Sequence, residues 1–221
     1  MGVGHVAVAI GAAKAAPRVN AGWLVFAALL ADFLLGIFAY FGLEHATVPP
    51  DFASRHYFLF TFPYSHGLLS LILWGVLLGL LISLPYGSAR QRVFFVIAAL
   101  VVSHFILDGI VHVAGLPLAG ENSPKLGLGL YRNLPVELTL ESVMTLIGAV
   151  LFWQVASRSA LSRYGVILVT LVVLALTWTQ LILVVPPPPR AMIADWIAFP
   201  LILSASIYAL DWKRVHSEAA G

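Results

Sequence analysis

Apolar runs of about 20 residues recur along this chain, divided by short breaks rich in Pro and Gly, and that rhythm leaves few folds open. The runs fall near 3–16, 21–43, 64–84, 93–116, 134–156, 163–185 and 192–211. The breaks read Pro-Arg, Pro-Pro, Pro-Tyr-Gly, Gly-Glu-Asn-Ser-Pro and Pro-Pro-Pro-Pro. A hydrocarbon core about 30 Å thick takes about 20 helical residues at about 1.5 Å each. The first run is short for a crossing, either a marginal span or a helix that enters part way. Hydrophobic residues make up 61% of the 221 positions and charged residues 10%, and the mean hydropathy is +0.97. The expected fold is an all-α polytopic membrane helical bundle of six to seven transmembrane helices. Residues 1–221 form one integral membrane domain, with no internal repeat. Alternating ten-residue strands are absent, which argues against an outer-membrane barrel.

The remaining composition narrows the function. The chain has no cysteine, which excludes disulfides and thiolate metal sites. A net charge of +2 scattered over the loops makes nucleic acid an unexpected partner. No basic region precedes the first apolar run, so a retained helix is expected there in place of a cleaved signal peptide. Lys14 and Arg18, Arg90 and Arg92, Arg158 and Arg163, and Lys213 and Arg214 occupy alternate connections and the tail. Loops holding Glu44, Asp51, Arg55, Glu121, Lys125, Arg132 and Arg190 mix both signs. The basic side is expected to be cytoplasmic, with the C-terminus inside a prokaryotic inner membrane.

Against this apolar background, residues 103–112 read Ser-His-Phe-Ile-Leu-Asp-Gly-Ile-Val-His. His104, Asp108 and His112 are spaced i, i+4, i+8 and so share one helix face. Counting from the basic anchors puts His104 roughly 18 Å, Asp108 roughly 24 Å and His112 roughly 30 Å above Arg92. Glu141 and Glu137 rise roughly 26 and 32 Å above Arg158, Asp32 sits roughly 21 Å above Arg18, and His5 lies about 14 Å from Lys14. His66 opens its helix at the outer boundary. Eight ionisable side chains from five helices are thus expected in the middle-to-outer half of the bilayer, where such groups mark a bound ion, a relay or a pathway.

Imidazoles and carboxylates without thiolate suit a divalent metal, Zn²⁺ first, with Mn²⁺ or Fe²⁺ as the other options. Several carboxylates beside several imidazoles suggest more than one ion. The expected metal-ligand set is His5, Asp32, His66, His104, Asp108, His112, Glu137 and Glu141. A lone His of this kind is more often a hydrogen-bond partner between helices than a ligand; three on one face weigh the other way. Glu137 and Glu141 also sit near a helix start, where the dipole alone would stabilise them. His45, His56 and His216 read as ordinary solvated residues. Thr177, Thr179 and Gln180 read as hydrogen bonds between helices, and Gly75 and Gly79 as a small-xxx-small pair allowing close approach.

The order His5, Asp32, His66, His104-x-x-x-Asp108 resembles a bacterial inner-membrane family of membrane-bound metal-dependent hydrolases. Leu29-Leu30-Ala31-Asp32, Tyr64-Ser65-His66 and Ser103 to Asp108 match its motifs in kind, over roughly the first 115 residues. Leu34 stands where that family often has a second acid, and Thr61 where it usually has a His. A more distant likeness is to zinc-dependent phospholipase C and related nucleases, whose ligands run His, Asp, His, His-x-x-x-Asp, His, His-x-x-x-Glu. That likeness implies one ion on Asp32, His66, His104 and Asp108, with Asp108 bridging. It implies a second on His112, Glu137 and Glu141, with His5 at a third or assisting; Glu137 replaces a His of that pattern.

The expected function is therefore a membrane-embedded metal-dependent hydrolase acting on a lipid or lipid-linked (phospho)ester. Metal-activated water would attack, with Asp32 or Glu137 as general base, and Arg132 would hold a phosphate or carboxylate of the amphiphilic substrate. The alternative is a divalent-cation or proton transporter using the same cluster, and a third is a structural subunit of a larger membrane complex. Residues 94–102 below His104 are almost wholly apolar, which favours a dead-end pocket over a conduit.

Overall fold

The computed structural model describes residues 2–156 and 159–217. Arg158, one of the depth anchors, lies outside the described residues, as does the side chain of His216. Helix α1 (Gly2–Gly11) continues through a 3-10 turn at Ala12–Lys14. α2 (Ala21–Ala28) starts where the Asn20 side chain accepts the Gly22 N–H at 2.9 Å, a side-chain cap of the orphan amides. α3 (Leu30–Tyr40) follows after a bend of 52°. Within 41–67, strand β1 (His45–Thr47) pairs antiparallel with β2 (Leu59–Thr61) around the short α4 (Phe52–Arg55). α5 (Leu68–Ser83) and α6 (Arg90–Val111) form a hairpin turned at Gly87, whose φ of 49° suits glycine. A small ribbon, β3 (Leu116–Pro117) with β4 (Lys125–Leu126), precedes α7 (Leu134–Trp153), α8 (Ala160–Trp178) and α9 (Pro189–Ser217).

Four helical stretches are long and apolar enough to cross a membrane: Leu68–Val111, Leu130–Trp153, Ala160–Ile182 and Pro189–Val215. The bent α2–α3 pair makes a fifth. This falls short of the six to seven expected from sequence, for two reasons. The first stretch contains both α5 and α6, and α1 with its 3-10 turn covers only Gly2–Lys14. Gly75 and Gly79 face α6: a Cβ on either would come within 3.0 Å of the Ala98 carbonyl or of Phe94. That pairing of 75 with 98 and 79 with 94 makes the two helices antiparallel.

The bundle is apolar inside and out. α1 and α2 are hydrophobic on nearly all faces and lie at its centre, with Val3, Val6, Ala9, Ile10, Leu24 and Val25 fully buried. α5, α7, α8 and α9 surround them and expose Leu73, Leu146, Ile147, Leu168 and Ile202 outward. An apolar exterior of that extent fits lipid, not water, as its solvent. α1 runs parallel to α7, close enough that a Cβ on Gly148 would overlap the Ala7 carbonyl.

The ends of the helices sort by charge. Lys14 donates to Gln154 at 2.7 Å. Arg214 donates to the carbonyls of Pro17 and Val19, and Ser162 meets Asp211 at 3.3 Å. The basic connections therefore gather at one end. The two small ribbons and the mixed-charge loops close the other.

Candidate metal centre

At the ribbon end, α1, α3, α6 and the residue before Gly67 bring five side chains together. His5, His104 and Asp108 form one group able to hold a metal ion, and Asp32, His66 and His104 form another that shares His104. His5, His66, His104 and Asp108 are at most 3% exposed. Buried ionisable groups need partners or a cation.

Each imidazole is held in a defined way. His104 Nδ1 lies 2.8 Å from the Ala28 carbonyl. A carbonyl only accepts, so His104 donates from Nδ1 and, as a neutral ring, carries its lone pair on Nε2. Ala28 is the last residue of α2, immediately before the bend at Leu29. No Gly or Pro marks that bend; a backbone group freed inside an apolar bundle must be satisfied elsewhere, and His104 does so. Sequence reading expected a continuous helix over 21–43 for want of a local breaker.

His66 is set by a relay. Glu44, 1% exposed, accepts the Tyr64 and Ser65 amides at 2.7 and 2.9 Å and the Ser65 hydroxyl at 2.6 Å. Burial pushes the Glu44 carboxyl up from its ordinary value, against the pull of the Ser65 and Tyr64 donors. Ser65 has one hydroxyl proton, so its oxygen accepts from His66 Nδ1 at 2.7 Å. The neutral His66 ring then also presents a bare Nε2. Such outer partners fix the tautomer of a ligating histidine.

The two Nε2 atoms approach each other, with His104 Nε2 only 3.2 Å from His66 Nε2. Asp32 Oδ1 lies 3.7 Å from His66 Nε2 and 3.8 Å from His104 Nε2. Asp108 Oδ2 lies 3.7 Å from His66 and 3.4 Å from His104. Four-coordinate ligands about 2.0–2.2 Å from a zinc-sized ion stand about 3.3–3.6 Å apart. A proton shared between the nitrogens engages two of these atoms, whereas the two candidate ligand groups meet at His104, with Asp32 in one and Asp108 in the other.

The other expected ligands take different positions. His5 Nε2 lies 3.0 Å from Asp108 Oδ1, and its ring stacks on His104 with centroids 3.8 Å apart. His5 Nδ1 has no hydrogen-bond partner. His112 stands just past the end of α6 in extended backbone, not on the helix face expected, with Nε2 3.3 Å from Asp108 Oδ2. Asp108 is thus shared among four imidazoles. Glu137 and Glu141 are buried on α7 but join neither group of ligand atoms among the described residues. Glu141 Oε1 accepts the Gly4 N–H at 3.3 Å, at the positive end of α1. Among the described residues, each of the two glutamates keeps one oxygen without a hydrogen-bond partner. Arg132 is exposed on the 3-10 turn ahead of α7 and does not line the cavity.

A cavity of about 580 Å³ opens beside the cluster. Asp32, His66, Asp108 and His112 face it, while Phe58, Phe60, Phe62, Tyr131, Trp196 and Phe199 form much of its wall. Rings run in contact from rim to cluster: Phe58 to Phe60 at 6.2 Å, Phe60 to Phe62 at 5.2 Å, and Phe62 to His66 at 4.6 Å between centroids. Thr177 and Thr179 line it too, but donate back to Val173 and Leu176 in their own chain segment, not between helices as expected.

Sequence reading missed several residues here. Glu44 and Ser65 passed as a loop acid and part of a motif; their pairing bridges 21 positions and leaves no periodic signal. His56, read as solvated, lines the cavity with Nδ1 2.7 Å from the Leu183 carbonyl. Asp195 lines it from α9, and an acid inside an apolar run was the signal available. No family model, curated protein or solved structure matches the chain.

Proposed function

We propose that this protein is a membrane-embedded, metal-dependent hydrolase of a lipid or lipid-linked (phospho)ester. The observation that carries the reading is the pair of imidazole Nε2 atoms 3.2 Å apart, with carboxylate oxygens 3.4–3.8 Å from both. His66, His104, Asp32 and Asp108 are the proposed ligands, with zinc favoured by the N/O donor set and the spacing. A divalent cation there would lower the pKa of a bound water and polarise a phosphoryl or acyl oxygen.

The chain's own groups divide the remaining work. Asp32 has a side chain 31% exposed, against 3% for Asp108, so Asp32 is the carboxylate placed to take a proton from water in the cavity. Glu137 is the weaker candidate base, since it does not line that cavity. His5 and His112 orient Asp108 from its two oxygens. The aromatic wall excludes water around the chain of an amphiphile. The resemblance of its motifs to those of membrane-bound metal-dependent hydrolases is in keeping with this reading.

In the bilayer we place six crossings: α2–α3 as one broken span, then α5, α6, α7, α8 and α9, with α1 entering part way. The basic end faces the cytoplasm under the positive-inside rule, which sets the cluster in the outer half of an inner membrane. The transporter reading needs polar groups continuing to the basic end. The segments below the cluster are instead filled by buried Val6, Ile10, Leu24 and Val25.

The test is hydrolysis of short-chain phospholipid and lipid-ester probes by zinc-loaded protein, beside His104→Ala and Asp108→Ala. Product release by the wild type, lost in both variants, supports the reading. Metal-driven ion flux in proteoliposomes without hydrolysis supports the transporter instead.

A further inference from the structure

The cavity is short of positive charge. Among the described residues its lining holds three carboxylates, Asp32, Asp108 and Asp195, and no Lys or Arg. A divalent cation on the cluster balances Asp32 and Asp108 and leaves Asp195. That carboxylate has no ion pair among the described residues, and Asp32 is the charge that acts on it electrostatically. It stands exposed near the start of α9, in a stretch apolar enough to cross a membrane, where an acid marks a candidate functional site.

Its surroundings are aromatic. Phe199 follows at i+4 and shares its helix face. Trp196, next to it, meets Phe60 with ring centroids 6.0 Å apart, and all three rings line the same cavity. A carboxylate and aromatic rings lining one cavity attract an organic cation, through charge and ring quadrupoles together. A purely anionic headgroup would meet repulsion there.

We propose that the part of the cavity around Asp195, Trp196, Phe199 and Phe60 is a subsite for an ammonium group. The amphiphile taken by this protein then carries a protonated or quaternary amine in its headgroup. As a statement about substrate this rests on the hydrolase reading above; as a statement about binding it stands alone.

The test titrates the full-length, zinc-loaded protein in maltoside micelles with two short-chain probes, followed by tryptophan fluorescence. Dihexanoylphosphatidylcholine carries the ammonium and dihexanoylphosphatidylglycerol does not. The wild type is expected to bind the choline probe about tenfold more tightly. The preference should fall to within about twofold in Asp195→Asn and return in Asp195→Glu. Trp196→Leu should weaken the choline probe alone, which keeps the test alive if Asp195→Asn does not fold. Equal binding by the wild type, or a preference that survives Asp195→Asn, overturns the subsite.

Metal content measured on the same samples separates the two readings. Unchanged zinc in Asp195→Asn is expected, and loss of an equivalent would make Asp195 a ligand and overturn the subsite. An ammonium preference in a protein that binds no metal supports the subsite and sinks the hydrolase.

Discussion

This bundle buries charge at both ends, and the two sites are built in opposite ways. At the basic end Asp211 and Arg214 are 0% and 3% exposed. Arg214 Nε reaches Asp211 Oδ1 at 2.8 Å, and Nη2 reaches Asp211 Oδ2 at 2.6 Å and the Val19 carbonyl at 2.5 Å. Nη1 meets the Pro17 carbonyl, and Asp211 also accepts the Ala21 amide at 2.8 Å. Donors and acceptors match, and the set ties α9 to the start of α2. At the ribbon end, two imidazole nitrogens face each other at 3.2 Å, and carboxylate oxygens of Asp32 and Asp108 lie 3.4–3.8 Å from both. A set that closes on itself is a clamp; a set of acceptors facing one another calls for a cation.

That contrast can be broken by experiment, and the largest effect belongs to the clamp. Asp211→Ala leaves a buried guanidinium unpaired and should cost about 3–5 kcal/mol of stability, read as a drop in melting temperature. Metal per folded molecule should not change. Replacing the pair together, Asp211→Leu with Arg214→Met, should cost less than either single change.

The cluster should respond the other way. His104→Ala is expected to lower metal affinity by about 100-fold or more while helical content by circular dichroism holds, since outer-partner changes alone reach 10–100-fold. One step out, Ser65→Ala breaks the Glu44–Ser65–His66 relay and should weaken metal binding by about 10-fold, measured by competition with a chelator. The smallest effect belongs to the exposed Glu121–Lys125 pair: Glu121→Ala should change stability by less than about 1 kcal/mol in a denaturant titration and leave metal content untouched.

The same contrast explains what could be read from the sequence. Asp32, His66, His104 and Asp108 were legible because acids and imidazoles are rare in apolar runs, so each one is a signal. Gly75 and Gly79 were legible because small residues one turn apart form a recognisable face. The bend at Leu29 was not, because the group that satisfies its freed carbonyl, His104, lies 76 positions from Ala28. Glu44 and His56 were hidden for the related reason that a polar loop residue looks the same whether it faces water or a cavity. The fold-back at Gly87 was legible as well, because the Pro-Tyr-Gly break parts the runs 64–84 and 93–116 where α5 and α6 turn on each other.

The most direct test of the central claim is the metal content of detergent-purified protein, wild type beside Asp108→Ala, with X-ray absorption on the metal found. The account predicts at least one equivalent of zinc or a similar cation, lost in the variant. Its nearest shell should be N/O donors at about 2.0–2.2 Å, including imidazole. Folded wild type that takes up no metal even after resupply would contradict it, and the facing imidazoles would then have to share a proton.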